Sequence, residues 1–393
     1  MRRRTASWLA CAGLLPFALP IRARAQAPVT VALTAEFGLS GSTSAQAIEL
    51  GLRMALADIN AASGVLGGRP LRLIARDDRS IPARAIRNFQ EFQQAPDLVA
   101  IFGGKFSPVL LDLAPLARQA GIPLLAPWSS ADALTDDDST PAVTFRLALK
   151  DSWAIGAMAR YLARRHAVRT IGLLAPTTAW GRSSVEALRR LSAATGAAHQ
   201  VQWYSWGERT LLPHYLALRG AGADGLILVG NEGEAARMLR EIAALPAAQR
   251  LPVALHGGAT GGDLFAMAGP ALGQVDVAVV QSFSFGDRST PARRRVLARL
   301  AARTEGMPVE RVSSAGFAQA YDLMHLLALA IDRAGSTDCK RIRIALENLP
   351  AHTGLVKHYA RPFAPGRHDA LSPDDIFMAR FTRDGRLARL SER

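Results

Sequence analysis

From Val29 onward, short apolar runs alternate with longer segments in which apolar residues recur every three or four positions. The short runs have the length of buried parallel strands, and the longer segments have the spacing of helices with one apolar face. This order of strand then helix begins again after Leu149, and an alternating stretch around Asp384-Gly385 indicates a terminal hairpin. The pattern predicts an α/β fold with two units, each a parallel sheet flanked by helices.

The segment 98–132 shows this organisation most clearly. An apolar run from Leu98 to Phe102 is followed by two glycines and by Ser107-Pro108, which we interpret as an N-cap and a first helical residue. A second apolar run then ends in Ser129-Ser130. Both polar turns fall at the carboxyl ends of adjacent strands, where doubly wound sheets bind ligands. A helix N-terminus there can hold a carboxylate. The alternative is that Ser107 is only a cap and Ser129-Ser130 only a turn.

The N-terminal residues 1–25 have the organisation of a signal peptide. Arg2 to Arg4 form a positive region, Trp8 to Ile21 form an apolar region, and small residues follow. The apolar region is too short to span a bilayer comfortably. We therefore expect export and cleavage near Ala25 or Ala27.

Charge and cysteine content narrow the function classes further. The formal net charge is +14 for 393 residues, and it is about +9 once the arginines of the leader are removed. The remaining basic residues are dispersed and not interleaved with aromatic residues, so nucleic-acid binding is not indicated.

Cys11 lies in the apolar region of the leader and leaves a lipoprotein as an alternative. Only Cys339 remains after cleavage, so no intrachain disulfide can form. Cysteine and histidine do not cluster at metal-binding spacing, and no cofactor is expected.

Five segments, in their order and spacing, resemble the exported solute-binding proteins of ABC transporters. The resemblance is to the branched-chain amino acid (leucine/isoleucine/valine) binding type, and it extends over nearly all of the mature sequence. The segments are GLSG at 38–41, INAASGVLGGRPLRLIARDD at 59–78, FGGKFSP at 102–108, AGIPLLAPWSSADALT at 120–135 and AWG at 179–181.

The resemblance implies a type I periplasmic-binding-protein fold. Two Rossmann-like lobes would be joined by three hinge crossings, near Arg146, near Ser282 and near Leu355, and would close on a ligand. The implied division is 28–146 plus 283–352 for lobe one, and 147–282 plus 353–393 for lobe two.

The resemblance also implies a ligand site. Ser107 would bind the ligand carboxylate, and the backbone at Trp128 together with Ser130 would hold the carboxylate and the ammonium. Lobe two would contribute Trp180 and the turn at Asn231-Glu232. Lys105 could face an anion, and Gln46 matches a cleft position. The candidate ligand-binding residues are Gln46, Lys105, Ser107, Trp128, Ser129, Ser130, Trp180 and Glu232.

One departure from the family concerns the ligand ammonium. The acidic partner expected for it falls at Gly257, which has no carboxylate, and burying an unpaired ammonium is costly. Either Glu232 or Asp78 supplies the negative charge, or the ligand is not an α-amino acid. Trp128 also replaces a small residue and could narrow the cleft.

We therefore expect a monomeric, non-enzymatic periplasmic protein that delivers a small polar solute, such as an amino acid or a related carboxylate or amide, to an ABC permease. A sensor of the same fold that acts on a signalling partner is an alternative. An exported hydrolase is a remote one, because no G-x-S-x-G motif is present. His256 and Ser130 could meet, but the sequence places no acid beside them.

Overall fold

The computed structural model describes residues 26–136, 140–286, 289–303 and 312–391. The predicted signal peptide lies outside the described residues. The strands are β1 (Val29–Ala35), β2 (Leu71–Asp77), β3 (Leu98–Gly103), β4 (Leu124–Ala126), β5 (Thr144–Arg146), β6 (Thr170–Pro176), β7 (Ala198–Tyr204), β8 (Gly225–Leu228), β9 (Val253–Leu255), β10 (Val277–Gln281), β11 (His352–Thr353), β12 (His358–Tyr359), β13 (Phe377–Phe381) and β14 (Leu387–Arg389). The helices are α1 (Ser44–Ala61), α2 (Pro82–Phe92), α3 (Ser107–Ala120), α4 (Asp151–His166), α5 (Ala179–Thr195), α6 (Leu212–Gly220), α7 (Glu232–Ala243), α8 (Leu264–Ala268), α9 (Ala271–Gln274), α10 (Pro291–Ala301), α11 (Ser314–Ala334) and α12 (Cys339–Leu346).

The first sheet has five parallel strands in the order β2-β1-β3-β4-β5. Every residue of β1 is buried, as expected for a strand covered by helices on both faces. Leu33 packs in the cluster that contains α1 and α11, whereas Ala32 packs in the cluster that contains α2 and α3. This sheet and its helices form lobe one.

The second sheet has seven strands in the order β14-β13-β10-β9-β8-β6-β7. Strands β6 to β10 pair in parallel, and the terminal hairpin β13-β14 is added antiparallel to β10. Gly385 in its turn has φ +83°, a conformation that glycine adopts without strain. This sheet and its helices form lobe two. The predicted α/β class with two lobes is confirmed.

The chain passes between the lobes where short extended segments leave each sheet. Leu147 packs in the lobe-one core and Leu149 in the lobe-two core, whereas Phe283, just after β10, returns to lobe one. The third crossing differs from the position predicted near Leu355. Residues 355–371 contribute six side chains to the lobe-one core, and Ile376 is the next to join lobe two: Leu355, Val356, Tyr359, Phe363, Ala370 and Leu371. The lobe-one portion of the chain therefore extends past the predicted boundary at 352.

Two local features bear on the site. Gly121 ends α3 with φ +70°, as its position after the apolar helical pattern indicated. Ser107, however, is the first residue of α3 and not its N-cap, which is Phe106, and the Ser107 side chain makes no capping bond. Within the described ranges, no helix combines the length and apolar character needed to cross a membrane.

Candidate functional site

A narrow cavity of about 20 Å³, room for about one water molecule, lies between the lobes at the carboxyl ends of strands from both sheets, so a solute can enter only when the lobes part. Doubly wound sheets bind ligands at this edge. Lobe one contributes Lys105, Phe106, Ser107, Pro108, Trp128 and Ser130, and lobe two contributes Trp180, Trp206, Asn231, His256 and Gly258.

Ser107 links the two polar turns of lobe one. Its Oγ accepts hydrogen bonds from the backbone N–H of Ser130 and of Ala131, both at 3.2 Å. A hydroxyl oxygen has two acceptor positions and one proton. Because both acceptor positions are used, the Ser107 proton is the part of the group left to donate into the cavity. The predicted capping role of Ser107 is wrong, since a capping serine would bind the N–H groups of its own helix, whereas its predicted role in ligand binding stays a prediction.

Arg146 holds the Ser130 turn from behind. Its Nη1 donates to the carbonyl oxygens of Ser130 at 3.1 Å and Ala131 at 2.8 Å, and its Nε donates to Asp369 Oδ1 at 2.6 Å. Burial alone would raise the pKa of Asp369, but the Arg146 guanidinium outweighs it and holds that pKa below the usual value. The turn that presents Ser130 is thus anchored by a buried ion pair at the first hinge crossing.

Trp180 forms a fixed wall on lobe two. It lies in the first turn of α5, and its Nε1 donates to Asp151 Oδ1 at 3.2 Å. A Cβ atom on Gly258 would lie 2.6 Å from Trp180 Cη2, so the indole packs directly against that backbone. The His256 ring meets it edge-on, with 5.0 Å between the ring centroids. These contacts fix the orientation of the ring before any solute arrives.

In the structure His256 has an acidic neighbour, Asp151, which could not be identified from the sequence. Its Nε2 lies 3.2 Å from Asp151 Oδ1, and its Nδ1 accepts from the Gly258 N–H at 3.4 Å. Both ring nitrogens therefore face groups of their own lobe. A catalytic histidine needs one nitrogen directed at the nucleophile, so this arrangement does not suit His256 as a base for Ser130.

Lys105 and Glu232 contact each other across the cleft. Lys105 Nζ lies 2.9 Å from Glu232 Oε2, and the side chains are only 3% and 6% exposed. Lys105 Nζ also donates to Ser42 Oγ at 3.3 Å. The Glu232 carboxylate is thus already paired with a cation of the protein, so it is not the expected partner of a ligand ammonium.

Asp78 and Gly257 do not supply that charge either. Asp78 accepts from Thr34 Oγ1 at 2.9 Å and from the Ser80 N–H at 2.8 Å, outside the cavity lining, and burial raises its pKa to about 6. A Cβ atom on Gly257 would lie 2.5 Å from Leu149 Cδ1. The packing therefore has no room at Gly257 for the acidic side chain that the resemblance expects.

The remaining predicted residues divide between the wall and its surroundings. Trp128 lines the cavity, but most of its ring packs in the lobe-one core, where Gly316 has no side chain to obstruct it. Ser129 is fully buried, and its Oγ donates to the Gly104 carbonyl at 3.0 Å. Gln46 is exposed, and its amide donates to the Phe37 carbonyl at 3.4 Å. Neither Ser129 nor Gln46 lines the cavity.

Phe106 and Trp206 were not identified from the sequence. They belong to different lobes and meet edge-to-face, with 5.4 Å between ring centroids and an interplanar angle of 86°. Their one signal in the sequence is that each follows a strand, β3 and β7, within a few residues. In the part of the chain that the structure describes, no group of three or more His, Cys, Asp or Glu side chains is arranged to hold a metal ion.

Residues 28–385 match the family described as periplasmic binding protein. No curated sequence matches the chain significantly. Among solved structures, it is similar to a type 1 periplasmic binding protein from Bordetella pertussis Tohama I, with a TM-score of 0.81 and 21% identity over 92% of this chain and 100% of that one.

Two further structures carry ligands. The branched-chain amino acid transporter substrate-binding protein LivJ from Streptococcus pneumoniae, in complex with isoleucine, has a TM-score of 0.76 and 18% identity over 92% of this chain and 98% of that one. A solute-binding protein of an ABC transporter from Rhodopseudomonas palustris BisB5, in complex with 3,4-dihydroxybenzoic acid, has a TM-score of 0.76 and 16% identity over 93% of this chain and 96% of that one. These likenesses concern the fold. Together with the family match over most of its length, they show that the chain belongs to the periplasmic binding proteins of the type I fold.

Proposed function

We propose that this protein is the extracytoplasmic solute-binding component of an ABC transporter, and that it captures a small carboxylate between its lobes. The observation that carries this proposal is the cavity, because residues of both lobes line it and its lobe-one wall is the Ser107–Ser130 turn pair. A ligand that touches both lobes stabilises the closed form over the open one.

The charge of the lining favours a carboxylate without an α-ammonium. No Asp or Glu belongs to the cavity lining, and the charge of Lys105 is balanced by Glu232. A ligand carboxylate could accept from the Ser107 hydroxyl, with the Ser130 hydroxyl as a further donor. A ligand ammonium would be buried without a charged partner, which is costly.

The shape of the lining favours a planar apolar body. Four aromatic residues line the cavity: Phe106, Trp128, Trp180 and Trp206. Aromatic rings pack well against other rings in stacked or edge-to-face contact. The Rhodopseudomonas palustris protein of similar fold holds an aromatic acid, which agrees with this choice.

The location and partners follow from the proposed role. The leader predicted at 1–25 would direct export, and the mature protein would act as a monomer in the periplasm. Its solute would pass to the membrane permease of the transporter, and neither nucleic acid nor a cofactor takes part.

A thermal-shift and calorimetry screen of the mature protein tests the proposal. The probes are benzoate, 4-hydroxybenzoate, benzamide, benzyl alcohol, leucine and phenylalanine. We expect the aromatic acids to bind and to raise the unfolding temperature. A ligand at about 100 times its Kd stabilises the folded protein by about 2.7 kcal/mol, which a thermal-shift measurement detects. The amide and the alcohol keep the ring but lose the charge, so they should bind more weakly. Binding of leucine or phenylalanine in preference to benzoate would contradict the ligand class, and binding of none of these compounds would contradict the proposed aromatic acid.

A further inference from the structure

We propose that Lys105 and Glu232 do not bind the solute but form a clamp between the lobes, which sets solute affinity by stabilising the closed form. The clamp is defined here as Lys105 with Ser42 of lobe one, and Glu232 with Gly261-Gly262 of lobe two. The inference rests on the proposed function, because it assigns these two residues a positioning role in solute capture.

The ion pair joins two elements that belong to different lobes. Lys105 follows β3 in lobe one, and Glu232 is the first residue of α7 in lobe two. Their charged atoms are 2.9 Å apart and almost completely removed from solvent. The carboxylate also lies at a helix N-terminus, where the helix dipole favours a negative charge. The two elements thus bring a cation of lobe one and an anion of lobe two into direct contact.

Hydrogen bonds beside the pair cross the same interface. The Thr43 N–H donates to the Gly261 carbonyl at 2.8 Å, and Ser42 Oγ donates to the same oxygen at 3.2 Å. Ser42 also accepts from Lys105 Nζ. The Thr43 hydroxyl also donates to this oxygen, at 3.4 Å, so one lobe-two carbonyl receives three donors from the segment that leads into α1. These contacts and the ion pair form one continuous polar patch between the lobes.

The two glycines of lobe two let the lobes approach this closely. A Cβ atom on Gly262 would collide with the backbone carbonyl of Gly41 in lobe one, and it would lie 2.9 Å from Glu232 Cγ. A Cβ atom on Gly261 would collide with Lys105 Nζ. Neither glycine has a positive φ, so alanine suits the backbone of lobe two itself. The backbone atom that excludes a side chain at Gly262 belongs to lobe one, whereas the Glu232 side chain of lobe two would have to shift to make room.

Burial decides how the clamp responds to mutation. Removing one partner of a buried pair leaves the other charge in a dry environment, whereas replacing both by neutral groups is often tolerated. In the open form each charge would be hydrated, so the loss falls on the closed form alone. Single neutralisation should therefore favour opening, and double neutralisation should restore much of the closed population.

The experiment uses Lys105→Met, Glu232→Gln, the double variant and Gly262→Ala. The fraction of closed molecules is measured by electron–electron spin distances between labels at Gln90→Cys on lobe one and Ala194→Cys on lobe two, in a Cys339→Ser background. We expect Lys105→Met and Gly262→Ala to lower the closed fraction without any solute. Because this readout needs no ligand, the clamp is tested even if the proposed solute class is wrong.

Affinity for the solute found in the screen gives the second readout. Each single variant should bind roughly 10- to 100-fold more weakly, and the double variant should bind more tightly than Lys105→Met. The loss should be the same for the acid and for its uncharged amide, because closure is common to both. Arg53→Met is the matched control. It breaks an exposed ion pair within lobe one, to Glu49 at 2.6 Å, and the Arg53 side chain is 52% exposed, so little change is expected.

Two results would overturn the clamp. In the first, Lys105→Met weakens the acid but not the amide, and the double variant is as weak as Lys105→Met; Lys105 would then bind the solute carboxylate directly. In the second, all four variants show the closed fraction of the wild type.

Discussion

Arg146 is completely buried, and its Nε lies 2.6 Å from Oδ1 of Asp369 although 223 positions separate the two residues. The pair joins the last strand of the first sheet to the segment that precedes the third crossing. Since Arg146 also holds the carbonyls of Ser130 and Ala131, the pair connects the hinge to the loop that presents Ser130. Stability and binding are therefore coupled at this position.

Asp369→Asn should destabilise the protein by about 3 kcal/mol, because it leaves the Arg146 guanidinium buried without its counter-charge. Urea denaturation followed by circular dichroism measures this change. Asp384→Asn is the matched control, since Asp384 forms a surface pair with Arg386 in the terminal hairpin, and no measurable change is expected there. Equal stability of Asp369→Asn and wild type would show that the buried pair contributes nothing.

Ser107→Ala and Ser130→Ala should each weaken solute binding by about 1.5–3 kcal/mol, the range for a hydrogen bond to a charged group. Isothermal titration calorimetry with the solute identified by screening measures this. Ser129→Ala is the control, because Ser129 Oγ donates to the Gly104 carbonyl and lies outside the cavity lining. It should lower stability and leave affinity unchanged. If the Ser107 and Ser130 variants both bind as the wild type does, the carboxylate is held elsewhere.

Gly258→Ala should weaken binding by about tenfold with a small loss of stability, because its Cβ would push the Trp180 ring into the cavity. Gly220→Ala makes the same change at the end of α6, where no atom lies within 4 Å of the added carbon. Calorimetry and thermal unfolding of both variants separate the site effect from a general effect on folding. A Gly258→Ala protein with wild-type affinity would argue that the solute does not contact Trp180.

The contributions of Asp78 and Asp322 to stability should fall as pH rises toward about 6. Burial raises the pKa of Asp78 and of Asp322 to about 6, so both hold a proton in the folded state at a pH where the unfolded chain has lost it. Their contribution is fully present below the ordinary pKa of 3.8 and is lost as pH rises through the folded value. Each group accounts for about 3 kcal/mol at most.

Asp78→Asn tests this pH dependence. The unfolding free energy at about pH 4 minus that at about pH 7.5 should be about 2–3 kcal/mol lower in the variant than in the wild type. Only the pH dependence is compared, because asparagine cannot accept from both Thr34 and Ser80 and will change the absolute stability. An unchanged pH dependence would place the ionisation of Asp78 outside this range.

Much of the fold could be predicted from the sequence because parallel strands covered by helices are continuous apolar runs. Leu98 to Phe102 is such a run, and it forms most of strand β3 in the structure. The terminal hairpin was predicted from its alternating pattern and its Asp-Gly turn. These signals are local in the sequence, so the strands and the hairpin can be predicted without knowledge of distant contacts.

The cavity was predicted less completely because its contacts are long-range. Lys105 and Glu232 are 127 positions apart, and each by itself was only a candidate for a ligand charge. Phe106 and Trp206 contact each other only because the two lobes face each other, so this contact could not be predicted from the sequence. The third crossing, which the resemblance implied near Leu355, could not be located from the sequence because the side chains of 355–371 that pack in lobe one are known only from long-range contacts.

The edge-to-face contact between Phe106 and Trp206 makes the fluorescence of Trp206 sensitive to whether the lobes are open or closed. Trp206 remains 39% exposed with Phe106 against it, so its indole is close to water in the closed arrangement. Separation of the lobes would remove Phe106 and expose more of the indole. Its emission should then shift to longer wavelength, and capture of a solute should reverse that shift without any added dye.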